Sequence, residues 1–153
     1  GFPVKNGALA AGLKQVNWPC RFEVVRSDPL IVLDGAHNIE SAVKLKQTLQ
    51  DYMPDKRFIM IFGVSVDKDI PGILEVLLPE MDRAIFVKSA HPRAAEPAKL
   101  VELGKPHNAA LEQADGISSA VRRAKELADK QTAIVVAGSL FIAAEARKEI
   151  INL

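Results

Sequence analysis

The chain has 153 residues, 48% of them hydrophobic and 25% charged, with a formal net charge of +1 at pH 7. That size and balance suit one globular domain with a sizeable core. They argue against a dedicated nucleic-acid binder, which needs a broad basic field, and no apolar stretch approaches the roughly 20 residues that cross a bilayer.

In chain order, residues 1–17 mix Gly, Ala, Lys and Asn, with a helix-like patch at 8–16. This segment reads as a connector, or as the tail of an element that belongs elsewhere. Trp18-Pro19-Cys20-Arg21 breaks the pattern, and residues 22–25 read as a strand. Ser27-Asp28-Pro29 is a turn signal, so this strand and the apolar run Leu30-Ile31-Val32-Leu33 form a candidate hairpin.

That second run ends in Asp34-Gly35-Ala36-His37-Asn38, and helical spacing (Ile39, Ala42, Leu45, Leu49, Tyr52) follows at once. A buried strand delivers polar groups to a sheet rim in this way. Gly35 removes a side chain so that a ligand can approach the backbone. His37 exchanges a proton near neutral pH, and Asn38 is a good N-cap. Taken alone, the same string reads equally well as a strand–turn–helix junction with an ordinary cap.

Phe58-Ile59-Met60-Ile61-Phe62 is apolar throughout, the mark of a strand buried on both faces. Gly63 ends it. Asp69 caps a helix carrying Ile70, Ile73, Leu74, Leu77 and Leu78, with Pro71 in its first turn. Residues 84–87 form another buried strand, and His91-Pro92-Arg93-Ala94 a loop. A short helix runs from Pro97 to Gly104, then a weak strand at 108–111. An amphipathic helix carries Ile117, Ala120, Val121, Ala124, Leu127 and Ala128. Residues 132–137 are a last buried strand, and Gly138-Ser139 turns into a closing helix at 140–150.

Alternating strands and helices with fully apolar central strands predict an α/β fold. The expected form is a Rossmann-like, mostly parallel six-stranded sheet with helices on both faces, right-handed crossovers and one antiparallel strand. Ligands of such sheets sit beyond the carboxyl ends of the strands. Asp34, the 63–69 loop, the 89–93 loop and Gly138-Ser139 all fall at that rim. The single cysteine, Cys20, cannot form an internal disulfide, so the expectation is a reducing, cytoplasmic compartment. The N-terminus has no signal-peptide pattern.

Five rim segments, in order, resemble those of the folylpolyglutamate synthase and dihydrofolate synthase family of the Mur ligase superfamily. Trp18-Pro19-Cys20-Arg21 resembles its W-P-G-R, Asp34 to Asn38 its D-G-A-H-N, Asp67-Lys68-Asp69 its D-K-D and Pro92-Arg93-Ala94 its P-R-A. Gly138-Ser139-Leu140-Phe141, with Arg147 beyond, is similar to its closing G-S-L segment. The resemblance runs from Trp18 to Arg147 and covers only the family's C-terminal domain. No G-x-x-x-x-G-K-[ST] loop occurs to cradle a triphosphate. The expectation is an excised domain, residues 18–153, with residues 1–17 connecting it to a missing N-terminal P-loop ATPase domain, and inactive by itself.

The resemblance implies an ATP-dependent ligase. It converts a folate or dihydropteroate carboxylate to an acyl phosphate, which the amine of L-glutamate attacks. Magnesium is held mainly by the missing domain, and this domain holds no metal. Carried over residue by residue, Arg21 and Asp34 bind ATP, His37 is catalytic and contacts glutamate, and Lys68 binds glutamate. Arg93 and Ser139 are weaker candidates, Ser139 being equally a helix cap. Cys20 departs from the pattern by replacing a glycine. If that position needs a positive φ, the loop must bend differently and the placement of Arg21 changes. Two alternatives remain. Another Mur-superfamily amide ligase would more commonly carry D-Y-A-H-N and lack W-P-G-R. A stand-alone α/β binding module would keep the rim residues without the chemistry.

Overall fold

A computed structural model describes residues 7–16, 18–107 and 110–151. The sheet has six strands: β1 (Glu23–Ser27), β2 (Leu30–Leu33), β3 (Arg57–Phe62), β4 (Arg83–Phe86), β5 (Ala110–Gln113) and β6 (Thr132–Ala137). Their order across the sheet is β1-β2-β6-β3-β4-β5. Among the described strands only the β1–β2 hairpin is antiparallel, and the other strand pairings are parallel. The expected six-stranded, mostly parallel sheet is therefore observed.

Side chains of the central strands alternate between two cores because successive residues of a strand point to opposite faces. Phe58, Met60 and Phe62 pack with α2 (Ile39–Tyr52), α3 (Ile70–Leu77) and α4 (Pro97–Gly104) on one face. Ile59 and Ile61 pack with α5 (Ile117–Leu127) and α6 (Leu140–Ile151) on the other. Helices thus cover both faces.

The chain steps outward from β2 through β3, β4 and β5, then returns to insert β6 between β2 and β3. After β2 it enters α2 on one face, and after β6 it enters α6 on the other. Neighbouring strands whose helices diverge to opposite faces leave a crevice at their carboxyl ends, the place where such sheets bind ligands. Gly138 closes the crevice floor: its φ is +106°, and a Cβ there would lie 2.5 Å from the carbonyl oxygen of Gly63. Only glycine fits so close a backbone approach.

Several boundaries differ by a residue or two from the sequence reading; β4, for example, lies at Arg83–Phe86 and not 84–87. β1 starts one residue later, because Phe22 has φ 44° and belongs to the preceding turn. β5 lies at Ala110–Gln113, not 108–111, and residues 108 and 109 fall outside the described set. Of the connector, residues 1–6 and 17 are likewise outside it. The rest is α1 (Ala8–Gln15), whose Leu9 and Leu13 are 70% and 65% exposed. Among the described residues, no helix is long and apolar enough to cross a membrane.

Candidate functional site

Asp34 follows β2 directly, and its backbone N–H still donates to Val136 of β6. Its carboxylate is occupied by backbone. Oδ2 accepts from the Phe22 N–H at 2.9 Å and Oδ1 from the Ala36 N–H at 2.8 Å. Burial pushes its pKa up, partly countered by those two N–H groups and by Arg21. Burial disfavours the charged carboxylate, while donors that converge on it favour it.

The Phe22 bond ties Asp34 to the turn carrying Arg21. Cys20 and Phe22, on either side of Arg21, both take positive φ, 61° and 44°. The turn therefore takes left-handed geometry at Cys20, the conformation a glycine would accommodate most easily. Such a conformation costs a non-glycine residue about 1–2 kcal/mol. It persists where surrounding bonds over-determine it. Here Cys20 N–H donates to Glu23 Oε2 at 2.8 Å and Arg21 N–H to the Trp18 carbonyl at 3.3 Å. Cys20 itself is buried, and burial, with Glu23 beside it, pushes its thiol pKa up. That is a packing residue, not a nucleophile. The Arg21 guanidinium lies 4.8 Å from the Trp18 ring centre, so the cation is braced on an aromatic face.

His37 is fixed from two sides. Its backbone N–H donates to Ser41 Oγ at 3.0 Å, and its Nδ1 lies 2.8 Å from the Gly35 carbonyl. A carbonyl only accepts, so Nδ1 carries the proton and Nε2 is left for a ligand. Ser41 also completes a capping box with Asn38: its N–H donates to Asn38 Oδ1 at 2.8 Å, and its Oγ receives the Asn38 N–H at 3.1 Å. The sequence reading found the Asn38 cap but missed Ser41. The spacing that could have revealed Ser41 is the capping box itself, three residues after the cap.

The loop after β3 is held by the loop after β4, through Val66 N–H to the Arg93 carbonyl and Ala95 N–H to the Val64 carbonyl, both 2.8 Å. This places Asp67 between two cations, 3.2 Å from Lys68 Nζ and 3.7 Å from Arg93 Nη1. Lys68, chiefly by hydrogen bonding, draws the Asp67 pKa down. Ser139 does cap α6, accepting from the Ile142 N–H at 3.2 Å.

These pieces form two adjoining clefts. One, of about 80 Å³, is lined by Arg21, Asp34 and His37, with Leu140 at its edge. The other, of about 200 Å³, is lined by His37, Lys68, Arg93, Ser139 and Phe141 among others. His37 and Leu140 belong to both. All four sequence-derived candidates (Arg21, Asp34, His37, Lys68) therefore meet on one rim. Gly35 departs from expectation: the space its missing Cβ would fill is taken by Leu140, whose Cδ2 lies 2.5 Å from that position. Glycine there admits a neighbouring side chain, and its backbone also lines the smaller cleft. Phe141, to which the sequence reading gave no role beyond the closing motif, is 53% exposed and stacks on His91 with ring centres 4.7 Å apart. Among the described residues no group of three or more His, Cys, Asp or Glu converges as a metal site requires.

Residues 20–140 match the family model for the Mur ligase glutamate ligase domain. The chain belongs to that family. This glutamate ligase domain is 35% identical, over 94% of its length, to a probable bifunctional folylpolyglutamate synthase/dihydropteroate synthase of Halobacterium salinarum. Among solved structures it superposes on Mycobacterium tuberculosis folylpolyglutamate synthase complexed with ADP, with a TM-score of 0.91, 29% identity and 96% of the chain covered. It superposes also on a Yersinia pestis bifunctional folylpolyglutamate synthase/dihydrofolate synthase complexed with AMPPNP and Mn ion, with a TM-score of 0.84, 29% identity and 96% coverage. The domain spans 18% of the Halobacterium protein and 35% of each of the two solved chains.

Proposed function

We propose that residues 18–153 are the C-terminal domain of an ATP-dependent ligase that adds L-glutamate to folate, as folylpolyglutamate synthases and dihydrofolate synthases do. Residues 1–17 lead to an N-terminal P-loop domain that supplies the triphosphate cradle and the magnesium ligands. The exposed leucines of α1 support this, since an amphipathic helix is stabilised mainly by packing its apolar face. The compartment is the cytoplasm.

One observation carries the reading: each acid of the rim is already engaged by a neighbour, while Arg21, His37, Lys68 and Arg93 gather around the same two clefts. Asp34 is spent on backbone N–H groups, and Asp67 sits between Lys68 and Arg93. Arg21, Lys68, Arg93 and His37 Nε2 are left facing the clefts. Such a rim complements anions, and every reactant of this ligation is one: a nucleoside triphosphate, a carboxylate acceptor and glutamate.

The carboxylate oxygen of the acceptor attacks the γ-phosphorus and ADP leaves. The glutamate nitrogen then attacks the acyl carbon, phosphate leaves, and the nitrogen loses its proton. Arg21 and the remaining lone pairs of Asp34 hold ATP. Arg21 offers a planar fork to phosphate, and Asp34 accepts from ribose hydroxyls. His37 stands where the two clefts join, with Nε2 placed to meet charge developing on the acyl phosphate. Lys68, steadied by Asp67, takes a glutamate carboxylate. Closure of this rim over the P-loop domain keeps water from the acyl phosphate.

The test is steady-state kinetics of the full-length enzyme. Lys68→Ala raises KM for L-glutamate about ten-fold and leaves KM for ATP unchanged; His37→Ala lowers kcat by about a hundred-fold. Wild-type constants in both variants would refute the assignment.

A further inference from the structure

Arg21 is the one candidate ligand whose backbone flanks are both left-handed, at Cys20 and Phe22. Two carboxylates hold those flanks: Asp34 takes the Phe22 N–H at 2.9 Å, and Glu23 takes the Cys20 N–H at 2.8 Å. Asp34 is itself anchored by the sheet through its N–H to Val136. Glu23 leads the short edge strand β1, and its anchor comes from the far end of the chain. Arg147 of α6 directs Nε at both carboxylate oxygens, at 3.0 and 3.1 Å. The Glu23 side chain is only 18% exposed, while that of Arg147 is 37% exposed, so the acid is largely withdrawn from water and the guanidinium keeps part of its hydration. Cys20 N–H and Arg147 thus share one carboxylate, and Arg21 projects from the turn between the two held N–H groups.

We propose that Glu23 and Arg147 are positioning residues for Arg21, forming a clamp that runs from α6 to the nucleotide-binding turn and sets affinity for ATP. The proposal rests on the nucleotide-binding role of Arg21. Neither residue lines the clefts, so both act through the turn. The same helix also carries Leu140 into both clefts at its first residue. Its N-terminal end therefore shapes the wall and its C-terminal half fixes the arginine. The chemistry of the link is directional. The Cys20 N–H needs an acceptor at position 23, and an acceptor there needs a donor at position 147.

Kinetics of the full-length enzyme test this, with KM for ATP, KM for L-glutamate and the unfolding temperature measured for each variant. Arg147→Gln and Glu23→Ala are expected to raise KM for ATP about ten-fold while KM for L-glutamate stays within about two-fold. Glu23→Gln keeps an oxygen for the Cys20 N–H and has a smaller effect. The exchanged pair, Glu23→Arg with Arg147→Glu, restores the ion pair and the unfolding temperature but not KM for ATP, because a guanidinium has no acceptor for that N–H. Should Arg147→Gln lose its fold, Arg147→Lys repeats the test at smaller amplitude. A rescue of KM for ATP by the exchange, or a parallel rise of both KM values tracking the loss of stability, overturns the clamp. Arg21→Ala is the control. If it leaves KM for ATP unchanged, the nucleotide-binding reading fails; if it raises KM while the clamp variants do not, only the clamp fails.

Discussion

Asp34→Ala removes the acceptor that joins the end of β2 to the turn carrying Arg21. Two backbone donors lose their partner, Phe22 N–H at 2.9 Å and Ala36 N–H at 2.8 Å. A hydrogen bond to a charged group contributes about 1.5–3 kcal/mol, so the gross loss is about 3–6 kcal/mol. Against this stands relief of a half-buried charge, whose burial already raises the pKa of the carboxyl, and partial rehydration of the freed donors. The net expectation is a loss of about 2 kcal/mol, or about 4–8 °C in unfolding temperature for a chain of this size. The pH dependence gives a second, independent check. A carboxyl whose pKa is higher folded than unfolded binds more protons in the native state. Its contribution is therefore greatest below the unfolded value and declines as pH rises through the raised one. Urea unfolding of wild type and Asp34→Ala across the acidic to neutral range should show their difference shrinking with rising pH. A difference that widens with pH would mean the two N–H groups outweigh burial, and the reasoning on this residue would be wrong.

Three further outcomes are expected. Gly138→Ala places a Cβ 2.5 Å from the Gly63 carbonyl oxygen and 2.9 Å from Phe62 Cε2 at φ +106°; a backbone carbonyl does not swing aside as a side-chain tip does, so the loss is about 3 kcal/mol or more in chemical unfolding. Gly35→Ala crowds chiefly the Leu140 side chain, at Cδ2 and Cγ, with the Cys20 carbonyl in ordinary contact at 3.5 Å, and Leu140 is 50% exposed and free to swing; stability falls by less than about 1 kcal/mol, while the displaced leucine narrows the Arg21 cleft and raises KM for ATP in the full-length enzyme. The 153-residue chain alone should neither hydrolyse ATP nor ligate glutamate in a coupled ADP-release assay, since it carries no P-loop.

The sequence was most legible where one physical constraint acted on contiguous residues. β3 and β6 are apolar at nearly every position because both faces are buried, and no other requirement blurs that signal. The Asp34–Asn38 string could be read because strand end, turn and N-cap follow one another without a gap. β5 was misplaced because it is an edge strand with polar residues. Glu112 within it is held by Arg83 and Arg123, an ion-pair arrangement that apolar periodicity does not register. β1 was misplaced for a related reason: Phe22 is apolar, but a left-handed φ removes it from the strand. The Glu23–Arg147 pair spans 124 residues of sequence, and no local pattern announces so distant a partner.

Charge at the rim shows why residue identity alone gave an incomplete account of role. Asp34 was read as a ligand for a nucleotide, yet its two oxygens already hold the backbone of two turns. Asp67 was read as one letter of a motif, yet its carboxylate pairs with both Lys68 and Arg93. Glu23 was read as strand, yet it grips the turn before Arg21. Each acid lies against a group that the site needs to hold still. A cation in water gains little by pointing at a solvated anion, because the dielectric is high and its own side chain is mobile. Tethering the cations in advance lowers the ordering cost that a ligand would otherwise meet on binding. An anion-binding rim therefore gains from acids that hold its cations in place, and this follows from electrostatics alone.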